Sequence, residues 1–253
     1  MPAELGEVIA WLDERLDVDA IEDYPGALNG LQVQGTRAVG RIGAAVDASE
    51  RTIGSAVEAG CDLLIVHHGL FWGGPFPLVG PAFRKVAALV RAGAGLYSAH
   101  LPLDAHPEIG NNALLAAALD LPVKGRFGSY RGLEGLGVIV EPDMGREELR
   151  DRVVAAVGRD VMLIPGGTGH VSRLGIVTGG AGSMLADAAA AGADALLTGE
   201  GNHHTYHEAL ERGIDLLYAG HYATETFGVR ALAGEAAARF GAESIFIDVP
   251  TGL

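Results

Sequence analysis

Apolar and polar positions alternate in blocks along this chain. Arg41–Asp47 (RIGAAVD) reads as a strand, Ser49–Ala59 has helical spacing, Gly60 ends that helix, and Leu63–Val66 is the next apolar strand. Gly is the usual residue just past a helix end, because it adopts the left-handed conformation without steric cost. The unit recurs: Arg173–Thr178 reads as a strand, Ser183–Ala191 as a helix ended by Gly192, and Ala195–Thr198 as a strand. The two stretches align without gaps, with Arg41 on Arg173, Gly60 on Gly192 and His68 on Glu200. The pattern predicts a duplicated βαβ unit, hence an α/β fold of two related domains with mainly parallel sheets.

Two further segments share part of the pattern. A helix ending in Gly93 leads into Leu96–Ala99 and His100, and one ending in Gly213 leads into Leu216–Ala219, Gly220 and His221. In all four cases a His or Glu falls just past the carboxyl end of a short apolar strand. In open α/β sheets that end forms the ligand crevice. Between the repeats, Gly125–Gly145 is glycine-rich and reads as the entry to a second domain. A strand at Gly137–Val140 and a helix from about Arg146 to Gly158 follow from the pattern. The last helix is expected to start near Ala223, and Ser244–Val249 is a final strand. If His221 joins His67 and His68, the C-terminal part returns to the first domain. The expected division is residues 1–125 with 220–253, carrying most of the ligands, and residues 126–219.

Composition narrows the class. A chain of 253 residues suits one large or two modest domains, at roughly 100–200 residues each. Its 49% hydrophobic and 20% charged residues describe a globular protein able to bury a core. The net charge of -14 argues against nucleic acid as a partner, since phosphate binding needs a basic face. No apolar stretch reaches the length of a membrane span. The N-terminal MPAELGEVIAWLDERL reads as an amphipathic helix without the features of a signal peptide. Cys61 is the one cysteine and has no neighbouring base, so it reads as a buried structural thiol. Together these predict a reducing, cytoplasmic location.

The residues able to carry chemistry are His67, His68, His100, Asp104, His221 and Glu225. Pro102 is expected to keep the segment after His100 out of a regular helix, so that His100 and Asp104 come from a loop. With a helix from about Ala223, Glu225 falls in its first turn, where the dipole favours a carboxylate. His and carboxylate ligands suit Zn, Fe or Mn better than Ca or Cu(I). Adjacent side chains on a strand point to opposite faces, so His67 and His68 are expected to flank two ions rather than share one.

Each residue also has a plain structural reading. The His pair can be a hydrogen-bonded strand end, Asp104 a turn residue, Glu225 a helix first-turn charge and Asn111 a helix cap. His203 and His207, four apart, could bind a metal on a helix, though a solvated helix start is simpler. Gly179–Ser183 (GGAGS) links a strand to a helix, as phosphate-cradling loops do. It lacks both the P-loop Lys-Ser/Thr and a full GxGxxG, and tight helix packing explains it as well.

Several stretches match a known family: NGLQVQG (Asn29–Gly35), IVHHGLFW (Ile65–Trp72) and HLPLDAHPEIGNN (His100–Asn112). TGE (Thr198–Glu200), AGHYATE (Ala219–Glu225) and FIDVP (Phe246–Pro250) continue the match. The sequence resembles the Nif-three-like dinuclear-metal proteins, known also as GTP cyclohydrolase 1 type 2 homologs, in their short bacterial form. The resemblance implies two α/β domains with a dinuclear metal cleft between them, and a ring-shaped homohexamer built as a trimer of dimers. Its ligands would be His67, His68, Asp104, His221 and Glu225, with Glu225 as bridge and His100 nearby. Some members carry Asp and Lys where this chain has Glu200 and Asn202.

Two functions compete. A metal-dependent hydrolase of a nucleotide or related small molecule would use two divalent ions to activate water and offset transition-state charge. His100 and Glu200 are then the candidate acid and base, and Arg131, Gly179, Gly180 and His204 the candidate substrate contacts. A non-catalytic metal-binding regulator or scaffold would instead use the ions to order the cleft. An open coordination position separates the two.

Overall fold

A computed structural model describes residues 2–72, 74 and 76–253; Met1, at the head of the expected first helix, lies outside them. In chain order the elements begin α1 (Leu5–Leu16), β1 (Gly30–Val33), β2 (Arg41–Asp47), α2 (Glu50–Glu58) and β3 (Leu63–His68). They continue with α3 (Gly80–Ala92), β4 (Gly95–Ser98), α4 (Leu101–Asp104), α5 (Asn111–Ala118), β5 (Gly125–Tyr130) and β6 (Leu133–Val140). Next come β7 (Met144–Gly145), α6 (Arg146–Val157), β8 (Met162–Ile164), β9 (His170–Val171), β10 (Leu174–Ile176) and α7 (Leu185–Ala190). The chain closes with β11 (Ala195–Thr198), α8 (Thr205–Arg212), β12 (Asp215–Tyr218), α9 (His221–Thr224), α10 (Thr226–Phe240) and β13 (Glu243–Phe246). Among the described residues no helix is long and apolar enough to cross a membrane.

The chain forms two compact units. The first runs to Leu103 and resumes over Gly228–Val249; the second is Asp104–Phe227 with Pro250–Leu253. These bounds differ from the expected 1–125 with 220–253 and 126–219. The reason is packing. On α5, Leu115 and Ala116 are buried in one core with Val138, Val140, Leu174 and Leu197, and Phe227 packs against that core too. Asp104, His221 and Glu225 therefore belong to the second unit, and the first holds His67, His68 and His100.

Within the first unit the sheet order is β1-β4-β3-β2-β13. Strands β13, β2, β3 and β4 are parallel and β1 is an antiparallel edge. Leu64 and Val66 of β3 are fully buried among Ala45, Ile53, Leu89 and Leu96. Helix α2 starts where Ser49 caps it, its side chain accepting from the Thr52 backbone N–H, and it buries Thr52, Ile53 and Ala56. Such a cap satisfies one of the donors that a helix start leaves without an intrahelical partner. Gly93 ends α3 at φ 67°, the left-handed cap read from the sequence.

Within the second unit the sheet order is β5-β6-β10-β11-β12-β8, with β10, β11 and β12 parallel. The duplication is visible in register. Ile42 pairs with Leu63 in the first unit, and their counterparts Leu174 and Ala195 pair in the second. One carboxylate closes each repeat at the amino end of its strands. Asp62 Oδ2 accepts from the N–H groups of Gly40 and Arg41 at 2.9 and 3.0 Å. Asp194 Oδ2 accepts from Ser172 and Arg173 at 2.8 and 2.9 Å. The same chemistry at the same rank argues for one ancestral unit more strongly than Ala- and Gly-rich similarity does.

Some local expectations change. The strand read at Ser244–Val249 is Glu243–Phe246, and Gly137–Val140 is the end of the longer β6. The last helix region begins at His221 rather than Ala223, and it is broken at Glu225 into α9 and α10.

Replacing Asp62 or Asp194 by Ala strips two backbone donors of their acceptor. Each change should lower stability by about 1–3 kcal/mol in urea unfolding. Glu211→Ala, at an exposed position on α8, should change it by less than about 0.5 kcal/mol. A loss at one of the two duplicated positions without the other would contradict the shared role.

Candidate metal centre

Strand β3 delivers His67 and His68 at its carboxyl end, and the loop after β4 delivers His100 beside them. His67 is fully buried and His100 nearly so. The imidazole centroids lie 4.8 Å apart for His67 and His68, 4.9 Å for His67 and His100, and 5.7 Å for His68 and His100. One ligand nitrogen from each falls within 4.8 Å of the others. The alternation of the strand was expected to send His67 and His68 to opposite sides. It does not, because side chains at a strand end are free to lean along the strand axis. Their adjacency therefore gives no argument of its own for two ions.

Every ring here is oriented through Nδ1. His67 Nδ1 meets the Ala99 carbonyl oxygen at 2.8 Å. His68 Nδ1 meets Asp47 Oδ1 at 2.8 Å, and His100 Nδ1 meets Asp23 Oδ1 at 2.8 Å. A carbonyl or carboxylate only accepts, so Nδ1 carries the proton and Nε2 the lone pair in the neutral ring. That is the arrangement metal-bound histidines adopt, with the outer acceptor fixing tautomer and ring direction. Asp47 and Asp23 were missed by the sequence reasoning. Asp47 had a signal: it ends β2 directly opposite His68 in the parallel register. Asp23 lies in an irregular segment and had none. Burial opposes ionisation of Asp23, yet hydrogen bonds from His100 and Asn29 hold its pKa below the ordinary carboxylate value. The carboxylate also accepts from the Leu101 backbone at 3.0 Å.

In the second unit Asp104 ends the four-residue α4 and is buried. Pro102 was expected to exclude helix there; it sits instead in the first turn, where its missing N–H costs nothing. Asn111 Nδ2 donates to Asp104 Oδ1 at 2.8 Å, so Asn111 orients the carboxylate. It is the first residue of α5, whose cap is Gly110 rather than Asn111.

His221 opens α9 and Glu225 closes it. His221 Nδ1 meets Glu200 Oε1 at 2.8 Å, while His221 Nε2 lies 3.2 Å from Glu225 Oε1. Burial works against a charged ring, but Glu225 and Glu200 outweigh it and raise the His221 pKa to about 9. Two carboxylates thus call for positive charge at this ring, which a divalent ion on Nε2 would supply in place of the proton. Gly179, at φ 70°, lies against Glu225, and a Cβ there would run into the carboxylate. Gly180 lies beside the His221 ring. The GGAGS glycines therefore make room for Glu225 and His221. Helix α7 has only six residues and starts after an intervening 3-10 turn, so a phosphate cradle at its N-terminus has no support.

A cavity of about 870 Å³ opens in the second unit, lined by Glu200, His203, Tyr206, His207, Tyr218 and Arg159 among others. This size suits a small organic molecule. His203 and His207 face it rather than His204, which directly precedes α8. Their rings are 5.9 Å apart, edge to face. Arg131 lies in the exposed β5–β6 turn at φ 49°. Cys61 is buried, and burial pushes its thiol up to about 11.

The chain also matches known proteins along its whole length. The family Duf34/NIF3 (NGG1p interacting factor 3) matches residues 3–252. A Deinococcus radiodurans protein named GTP cyclohydrolase 1 type 2 homolog is 44% identical over 98% of this chain and 94% of its own. Among solved structures, a Thermus thermophilus protein is 43% identical with TM-score 0.89, covering 99% of this chain and 100% of that one. The protein ybgI, described as of unknown function, is 38% identical with TM-score 0.91 and full coverage of both chains. The family match, the shared fold and the histidine and glutamate groups able to hold metal agree: this chain belongs to the Duf34/NIF3 family.

Proposed function

We propose that the protein is a metal-dependent hydrolase of a small molecule, of the cyclohydrolase type, with two divalent ions held by His67, His68, Asp104, His221 and Glu225. The observation that carries this reading is the Nδ1 tether on each histidine of that set, His67, His68 and His221. Hydrogen-bonded core histidines have no need of a common orientation, whereas ligand histidines do. Nitrogen and carboxylate donors suit zinc, iron or manganese. When bound, such ions would lower the pKa of water and offset charge developing on the substrate.

The chain's own groups have separable roles in this reading. Asp23 holds His100 in one orientation, so His100 is the group positioned to exchange a proton with substrate. Glu200 was paired with His100 as acid or base; its hydrogen bond to His221 makes it a positioning residue for that ring. Glu200 also lines the cavity of the second unit, which gives a nucleotide-sized molecule room beside it. Homohexameric assembly belongs to the same proposal and predicts a light-scattering mass six times that of the chain.

Metal content tests the ligand set. Glu225→Ala should remove most bound metal measured by mass spectrometry of the purified protein; unchanged content would sink its assignment. Asp47→Ala should leave the ligands in place but lower metal affinity by about 10–100-fold in a chelator competition. Metal-loaded protein screened against purine nucleotides, cyclic amides and phosphoesters should hydrolyse one class, and Asp104→Ala should abolish it. Full metal content with no turnover of any class would favour the non-catalytic reading.

A further inference from the structure

Two aromatic rings stand beside the first unit's imidazoles and are not buried. Tyr24 is 43% exposed and Trp72 is 39% exposed. Trp72 lies 5.0 Å from the His100 ring at 87° and 5.6 Å from the His68 ring at 64°. Tyr24 lies 5.6 Å from the His100 ring at 51°, and 6.3 Å from Trp72 at 65°. Large rings are usually covered, since they carry the largest apolar area of any side chain. Here two converge in the open on one imidazole.

Both are held in place. Trp72 Nε1 donates to the Gly69 carbonyl at 3.1 Å, which ties the indole to the turn after β3. The Tyr24 N–H donates to Asp23 Oδ1 at 2.6 Å, on the carboxylate that orients His100. The two rings are therefore fixed by the same short segments that fix the imidazoles. A pair at 65° is too splayed to sandwich a ligand. It forms a corner, in which a ring stacked flat on one face meets the other nearly edge-on, both favourable aromatic geometries.

We propose that Tyr24 and Trp72 form a stacking platform for a fused heteroaromatic ring, purine-like in size, and present that ring to His68 and His100. This deepens the hydrolase reading and rests on it for the identity of the molecule as substrate. Stacking suits this chain for an electrostatic reason. With a net charge of -14, long-range attraction does not recruit an anionic substrate. A π-face contact needs no such attraction. The platform selects for the ring and leaves the charged remainder to other groups.

The chain has two tryptophans, so Trp11→Phe leaves Trp72 as the only indole reporter. In that background guanosine should quench Trp72 emission saturably, in both chelator-stripped and metal-loaded protein, and ribose 5-phosphate should not. Tyr24→Ala should weaken guanosine binding roughly 5- to 150-fold, the range that losing one base–aromatic stack produces, while Tyr24→Phe should retain it. Circular dichroism and metal content of Tyr24→Ala, unchanged, would exclude misfolding. Absence of saturable quenching, equal quenching by ribose 5-phosphate, or full affinity in Tyr24→Ala would overturn the platform. Because binding is read without turnover, guanosine binding in a protein with no hydrolase activity would fail the catalytic reading and leave the platform standing.

Discussion

An imidazole serves as a directed ligand only when one of its nitrogens is fixed by a hydrogen bond. That constraint organises the chemistry of this protein. His67, His68, His100 and His221 each have Nδ1 held at 2.8 Å by an acceptor. Three of the acceptors come from the ends of neighbouring strands or the loops that follow them, and the fourth, Asp23, from the irregular segment before β1. The parallel sheet makes this possible, because it places several carboxyl ends in one rank, where polar groups reach each other across adjacent strands. Antiparallel order would have alternated the ends and separated donor from acceptor.

The duplication shows how two units with one frame acquire different chemistry. By the alignment that sets Arg41 on Arg173, Asp47 falls on Gly179 and His68 on Glu200. In the first unit a carboxylate on β2 orients an imidazole on β3. In the second, the carboxylate stands after β11 and the imidazole after β12. The pairing is kept and displaced by one strand. The position vacated by the carboxylate is Gly179, whose missing side chain leaves space for Glu225. The structural carboxylates Asp62 and Asp194, at the opposite strand ends, did not diverge. Their task is to accept from backbone donors, and both units keep those donors in the same place.

The difference between the units extends to what surrounds the histidines and carboxylates of each. The first unit sets aromatic rings beside buried imidazoles. The second sets a cavity of about 870 Å³ beside Glu200.

The sequence by itself determined the repeated βαβ frame, the helix-ending glycines and the rank of polar residues past the strands. These follow from local periodicity and from backbone preferences that need no partners. It also determined the resemblance carried by the paired histidines and the GHYATE segment. The tertiary structure alone decided which residues orient the histidines. Asp23 sits 77 positions from His100 in the chain, and no periodicity links them. It decided that His67 and His68 converge, because a strand end frees side chains from strict alternation. It placed Pro102 within a helical turn and Glu225 at a helix break, where propensity had suggested a loop and a first turn. It also moved the boundaries of the two units, because the packing of α5 is set by which sheet offers an apolar face, and that is a property of the assembled core.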